Sequence, residues 1–232
     1  MTDGAVIFDL DGVLLDSEAL QYKAYTEVLG RFGITVSLEE YATHWIGAGR
    51  GPEYAVRTYG LQMHPDELRT LKHPVYHDIL RREAALMPGA LAALTRLHPY
   101  FPLALATNSN RQDVSFVIDR FELRHFFAAI VTREDYRRAK PYPDAFVTAA
   151  ARVQAAPDAC VVVEDAERGV LAAHRAGAAV IAVPNRFTRG SDFSLAQLVL
   201  PSLDALDVDV VSRLVADHRA AHRATALQPA RR

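Results

Sequence analysis

The sequence predicts an α/β fold: a Rossmann-like parallel sheet core with an all-helical segment inserted after the first strand. Three observations predict it. Short, continuous apolar runs alternate with amphipathic helical patterns, the signature of a parallel sheet covered on both faces. That alternation is interrupted once, between residues 16 and 87, where only helical patterns occur. Chemistry-bearing residues stand just after the apolar runs, at the strand ends where open α/β sheets bind their ligands.

The first strand is Ala5–Leu10, which stops at Asp11-Gly12. From Ser17, its expected N-cap, a helix places Leu20, Ala24, Val28 and Phe32 four residues apart, the spacing of one helical face. Ser37 with Glu40 three residues later reads as a capping box for a second helix through Trp45. Pro52 opens a third helix ending at Gly60, and a fourth runs from Pro65 to Ala85, with Pro74 expected to kink or divide it. After Met87-Pro88-Gly89 come a helix at Ala90–Leu97, a strand at Leu103–Thr107, a helix at Arg111–Phe121 and a strand at Ala129–Val131. A helix at Pro143–Val153, a strand at Cys160–Glu164, a helix at Glu167–Ala176 and a strand at Ala179–Val183 follow. A short strand at Leu198–Leu200 and a helix from Val208 finish the set, and the tail beyond Ala220 is expected to fray. Residues 1–15 and 88–220 are assigned to the core, 16–87 to a helical cap and 221–232 to the tail.

Composition sets the outer limits. The chain has 232 residues, 50% hydrophobic and 23% charged, which excludes collagen, coiled-coil and disordered classes. A net charge of −2 carries no basic excess of the kind a nucleic-acid surface needs. The single cysteine, Cys160, excludes an internal disulfide and suits a reducing compartment. No stretch is long enough to span a bilayer, and the N-terminal run lacks the pattern of a secretion signal. A soluble, cytoplasmic protein without nucleic-acid or membrane partners is expected.

The strand ends carry the chemistry. Asp9 and Asp11 follow the first strand, Thr107-Asn108-Ser109 the second and Glu164-Asp165 the fourth, while Lys140 precedes a helix in the loop after the third. An EF-hand reading of the first segment fails, because Gly12 falls at the wrong loop position. Lys140 is one of three lysines against 23 arginines, and a compact ammonium suits a crowded phosphate site.

Such an inventory fits phosphoryl transfer. A carboxylate at Asp9 can attack phosphorus, and Asp11 can protonate the leaving oxygen and then take a proton from water. Mg²⁺, which prefers oxygen donors, would reduce the repulsion between carboxylate and phosphate. Asp9, Asp165 and Asp11 through its backbone carbonyl are its candidate ligands, and Glu164 is either a further ligand or a group behind them. Thr107, Asn108 and Lys140 are the candidate phosphate-binding residues, and Gly12 allows a tight turn beside them.

At this point the chain resembles the haloacid dehalogenase-like superfamily. Asp9-Leu10-Asp11-Gly12-Val13-Leu14-Leu15-Asp16-Ser17 is similar to its motif I and Thr107-Asn108-Ser109 to motif II. Lys140-Pro141-Tyr142-Pro143-Asp144 is similar to motif III, and Val163-Glu164-Asp165 with Gly169 and Ala172-Ala173 to motif IV. The insert resembles the helical cap of the phosphatase and β-phosphoglucomutase branch. The resemblance implies a Rossmann-like core, an aspartyl-phosphate intermediate and dependence on Mg²⁺.

The expected function is therefore a Mg²⁺-dependent phosphatase acting on a small phosphorylated metabolite. A sugar phosphomutase is the alternative within enzymes, and a non-catalytic metabolite-binding protein the alternative outside them. A dehalogenase is disfavoured, since it needs neither a second aspartate at position 11 nor a metal. In the Gly-rich bend Gly47–Gly51, Arg50 is the candidate cap residue for a second anionic group, at a spacing that resembles the mutase specificity loop. Against a mutase, the position that carries a gating histidine in β-phosphoglucomutase-like proteins is Gln21 here. His64, His73 and His77 are expected at or near the surface. Tyr22, Tyr25 and Tyr41 are read as packing residues.

Overall fold

The computed structural model describes residues 4–46 and 51–226. Strands β1 (Ala5–Phe8), β2 (Leu103–Ala106), β3 (Phe127–Val131), β4 (Cys160–Glu164), β5 (Ala179–Ala182) and β6 (Leu198–Val199) form one sheet in the order β3-β2-β1-β4-β5-β6. Every pairing is parallel. Helices α1 (Glu18–Gly30), α2 (Leu38–Glu40), α3 (Gly51–Thr58) and α4 (Pro65–Glu83) follow β1 in the chain, before α5 and β2. Helices α5 (Ala90–Leu97), α6 (Arg111–Arg120), α7 (Asp144–Arg152), α8 (Glu167–Ala176) and α9 (Val208–Ala226) alternate with or follow the later strands. The predicted α/β class and parallel sheet are therefore present. Among the described residues no helix is long and apolar enough to cross a membrane.

Alternate residues of each strand face opposite sides of the sheet, and the two sides hold different cores. Val6, Phe8, Leu103, Leu105, Val161 and Val163 belong to the core that also takes in Leu94 and Leu97 of α5 and Val114 and Val117 of α6. Ala5, Ile7, Ala104, Ala106, Val162 and Val180 share the other with Phe146 of α7 and Val170 of α8. Each large apolar side chain fully buried in this way contributes about 1.5–3 kcal/mol. The second face is rich in alanine, which leaves little side-chain bulk between α7, α8 and the strands.

Local differences from the expected elements have local causes. β1 ends at Phe8, two residues early: after Asp9 N donates to Val163 O the chain turns, with Leu14 N and Leu15 N both donating to Leu10 O. Ser17 does not cap α1, since its backbone is already helical and its hydroxyl makes no capping bond. Ser37 Oγ does accept from Glu40 N at 3.1 Å. The regular helix there lasts only to Glu40, and Tyr41–Ile46 continue it as wider, π-type turns. Helix α4 runs unbroken through Pro74. Helix α9 continues to Ala226, past the point where fraying was expected.

The helical insert enters and leaves the core through a narrow neck. Leu15 and Leu86 form an antiparallel bridge, flanked by bonds from Asp16 N to Ala85 O and from Met87 N to Leu14 O, both 2.9 Å.

Candidate active site

Strand register places the site. Phe8 lies opposite Val163 of β4 and Leu105 of β2, so one step further brings Asp9 beside Glu164 and Ala106. One or two steps beyond stand Asp165, Thr107 and Asp11. Asp9, Thr107, Glu164 and Asp165 are all buried.

Lys140 reaches this strand edge from the loop after β3. Its ammonium donates to Asp9 Oδ1 at 2.6 Å, Glu164 Oε1 at 2.7 Å and Ala106 O at 3.0 Å, which uses all three of its N–H donors. Burial works to lower its pKa, but the Asp9 and Glu164 carboxylates outweigh it and hold Lys140 charged well above the ordinary range. For Asp9, burial wins over the same lysine and pushes the carboxyl up to about 7. Asn108 fastens the lysine loop: its Oδ1 accepts from Lys140 N at 3.1 Å and from Tyr136 OH at 2.8 Å.

Asp11 is held on one side only. Its Oδ2 accepts from the hydroxyls of Thr107 at 3.2 Å and Ser109 at 2.5 Å. Its Oδ1 is buried and has no hydrogen-bond partner, leaving one carboxylate oxygen able to give or take a proton. Thr107 Oγ1 also accepts from Ser109 N at 3.0 Å. The threonine hydroxyl thus orients Asp11.

Asp9, Glu164 and Asp165 each offer a carboxylate oxygen within 4.8 Å of the others. An all-oxygen, anionic set suits a hard divalent cation. The two oxygens of Glu164 are already engaged, one by Lys140 and the other by Asp165 N at 3.0 Å and Ala166 N at 3.3 Å. Among the described residues the one side chain that hydrogen-bonds to Asp165 is Asn185, through Nδ2 at 2.8 Å. Burial, then the charges of Glu164 and Asp9, hold the Asp165 carboxyl well above its usual range, outweighing the nearby Arg168.

Gly12 makes this crowding possible. A Cβ there would lie 2.3 Å from Asp165 Oδ2 and 2.8 Å from Asn185 Nδ2, and its φ is +79°. At Gly169 in α8, a Cβ would come within 1.9 Å of the Glu164 carboxylate.

These groups open into a cavity of about 250 Å³. Its far walls include Glu18, Trp45 and Ile46 from the insert and Arg168, Thr188 and Ser191 from the core. Glu18 Oε2 accepts from Tyr41 OH at 3.2 Å, and burial raises its pKa.

The profile of the haloacid dehalogenase-like hydrolases matches residues 6–183. The chain belongs to this family. Among relatives of this haloacid dehalogenase-like hydrolase, fructose-1-phosphate phosphatase YqaB of Escherichia coli is 30% identical over 74% of this chain and 92% of that protein. The phosphorylated carbohydrates phosphatase of Thermotoga maritima is 30% identical over 75% of this chain and 81% of that protein. CbbY of Rhodobacter sphaeroides, solved in complex with phosphate, is 26% identical with a TM-score of 0.73, covering 89% of this chain and 96% of that one.

In this hydrolase the structure brings Asp9, Asp11, Thr107, Asn108, Lys140, Glu164 and Asp165 to one cavity. Arg50 lies outside the described residues. Sequence reading passed over Ser109, Glu18, Arg168 and Asn185. Ser109 was inside a motif already singled out, and Glu18 sits two residues after Asp16 at the start of α1; nothing in sequence spacing marks Asn185. His77 also escaped: its Nδ1 lies 2.8 Å from buried Asp113 of α6, and Asn110 joins the same cluster through His73 at 2.9 Å. These contacts join the insert to the core. The three tyrosines pack as expected, Tyr22 on Tyr41 and Tyr25 on Trp45, with ring centroids 5.2 and 4.7 Å apart.

Proposed function

We propose that this hydrolase is a Mg²⁺-dependent phosphatase acting on a small phosphorylated metabolite of the sugar-phosphate class, through phosphorylation of Asp9. The reaction class, hydrolysis of phosphoric monoesters, is that of its named phosphatase relatives. One observation carries the assignment of roles: Asp9, fixed by Lys140 through Oδ1 alone, shares a cavity with Asp11, which has an unpartnered oxygen.

Asp9 attacks phosphorus through its free oxygen while the ester P–O bond breaks and Asp11 delivers a proton to the leaving oxygen. Asp11, now a carboxylate, takes a proton from water. The water oxygen then attacks phosphorus, the bond to Asp9 breaks, and inorganic phosphate leaves. Lys140 keeps Asp9 in place and offsets charge as the phosphoryl group arrives. Asn108 holds the lysine loop, and Thr107 with Ser109 aims Asp11. Asp9, Asp165 and the backbone carbonyl of Asp11 are the groups that would hold Mg²⁺, with Glu164 behind them anchoring Lys140. When bound, the cation supplies positive charge that lets carboxylate and phosphate approach. The cavity volume is at the small end for a ligand site, which fits a substrate of a few carbons. A cytoplasmic location fits the lone cysteine, Cys160, which is buried in β4.

A screen of phosphorylated metabolites for released phosphate, with Mg²⁺ and with EDTA, tests this reading. Turnover with Mg²⁺ that is lost in EDTA and lost in Asp9→Asn is expected. Full activity in EDTA would sink the mechanism. β-Glucose 1-phosphate should yield no glucose 6-phosphate, even with glucose 1,6-bisphosphate present. Gln21 supports hydrolysis over isomerisation, because its side chain accepts from Lys72 Nζ at 2.6 Å and has no titratable proton to gate a phosphoryl return.

A further inference from the structure

The loop after β5 holds a residue whose contacts converge on the cation cluster. Asn185 Nδ2 donates to Asp165 Oδ2 at 2.8 Å and to Gly12 O at 3.3 Å. Its Oδ1 accepts from Phe187 N at 2.8 Å, and its own backbone N donates to Thr188 Oγ1 at 3.0 Å. The amide orientation is therefore determined: the oxygen must meet the Phe187 N–H, so the NH₂ faces the carboxylate. The turn carrying it is closed by bonds from Thr188 N and Arg189 N to Asn185 O, both 3.1 Å. Phe187 packs edge-on against Tyr41 of the insert, with centroids 6.3 Å apart.

We propose that Asn185 is a positioning residue that fixes the rotation of the Asp165 carboxylate, so that Oδ2 is tied and Oδ1 is left for the cation. This rests on the Mg²⁺ reading above. Among the described residues no other side chain hydrogen-bonds to Asp165, so without Asn185 no side-chain hydrogen bond sets the rotation of that carboxylate. A neutral amide suits the task. It orients the carboxylate without cancelling its charge, whereas a lysine or arginine there would compete with the cation. The second bond, to Gly12 O, ties the same amide to the turn after β1 that carries Asp9 and Asp11, so both sides of the cluster are set by one side chain. Hydrogen bonds of this kind behind metal ligands typically change affinity about 10–100-fold.

The test is calorimetric titration of the metal-free protein with Mg²⁺, with no substrate present, for wild type, Asn185→Ala and Asn185→Ser. Serine can still accept from the Phe187 N–H and keep the turn, but it is too short to reach Asp165. A Mg²⁺ dissociation constant raised about 10–100-fold in both variants, with metal-free melting temperatures close to wild type, is the expected result. Unchanged affinity in Asn185→Ser beside clear wild-type binding overturns the positioning role alone. No Mg²⁺ binding by wild type overturns the cation reading and this role with it.

Discussion

Lys140 and Asp9 form a buried ion pair, Nζ to Oδ1 at 2.6 Å, and Glu164 completes it from the other side at 2.7 Å. One cation thus serves two carboxylates from adjacent strands. Removing one partner of a buried pair costs more than the pair gains, because the charge left behind has lost both water and its partner.

Lys140→Met should therefore lower unfolding free energy by about 3–5 kcal/mol near neutral pH and abolish turnover. The deficit should shrink as pH falls. Asp9 already takes up a proton near pH 7 because of burial, and without the lysine its carboxyl protonates more readily still, which removes part of the uncompensated charge. Urea unfolding at pH 5 and pH 8 checks this. Equal deficits at the two pH values would mean that lost packing against the Phe146 ring, 4.4 Å from the ammonium, dominates instead.

Gly12→Ala should damage the site more than the fold. The new methyl group meets Asp165 Oδ2 at 2.3 Å and needs a backbone with φ of +79°, so at least about 1 kcal/mol of strain is expected. Displacement of Asp165 should remove most phosphate release. A melting curve and an activity assay on the same sample decide it. Wild-type activity would show that Asp165 can move aside at no cost.

Lys72 gives a prediction for stability against pH. Burial lowers its pKa to about 8, although its ammonium lies over the rings of Tyr76 and Tyr25, 4.6 and 5.3 Å from their centroids. The unfolded chain keeps this lysine charged to about pH 10.4. Below pH 8 both states carry the charge and the folded state bears the desolvation penalty in full. Between 8 and 10.4 the unfolded state binds more protons, so stability rises with pH across that window. Lys72→Met should consequently stabilise the protein by about 1 kcal/mol at pH 7, allowing for partial solvent screening. The advantage should fade by pH 10, as followed by thermal melts in a series of buffers. A constant advantage would assign the effect to packing.

Much of this was legible from the residues alone. Parallel strands announce themselves as unbroken apolar runs, and the residues directly after them have only one edge to occupy. The meeting of Asp9, Asp11, Thr107 and Asp165 at one edge was therefore readable before any coordinates, whereas Lys140 stood out as one of three lysines against 23 arginines. Asn185 and Glu18 were not, because each meets its partners through tertiary contact between elements distant in sequence, as Asn185 does with Gly12 across 173 positions. The pairing of His77 with Asp113 was hidden in the same way. The capping box at Ser37 and Glu40 marks where a helix starts but not its turn width, so the wider turns at Tyr41–Ile46 were not legible. Nor was the absence of a cap at Ser17, whose position suits one but whose backbone is already helical.

The neck at Leu15 and Leu86 has a consequence for how this chain tolerates change. Its two strands are zipped together by backbone bonds, so the segment between them begins and ends at one spot. The spacing of the sheet does not depend on that segment's length. Variation between Ser17 and Ala84 therefore enters and leaves the chain at one point, although Glu18, Trp45 and Ile46 also line the cavity and His77 pairs with Asp113 of α6. Insertions in that segment that spare those contacts should leave the strand-end carboxylates where they stand.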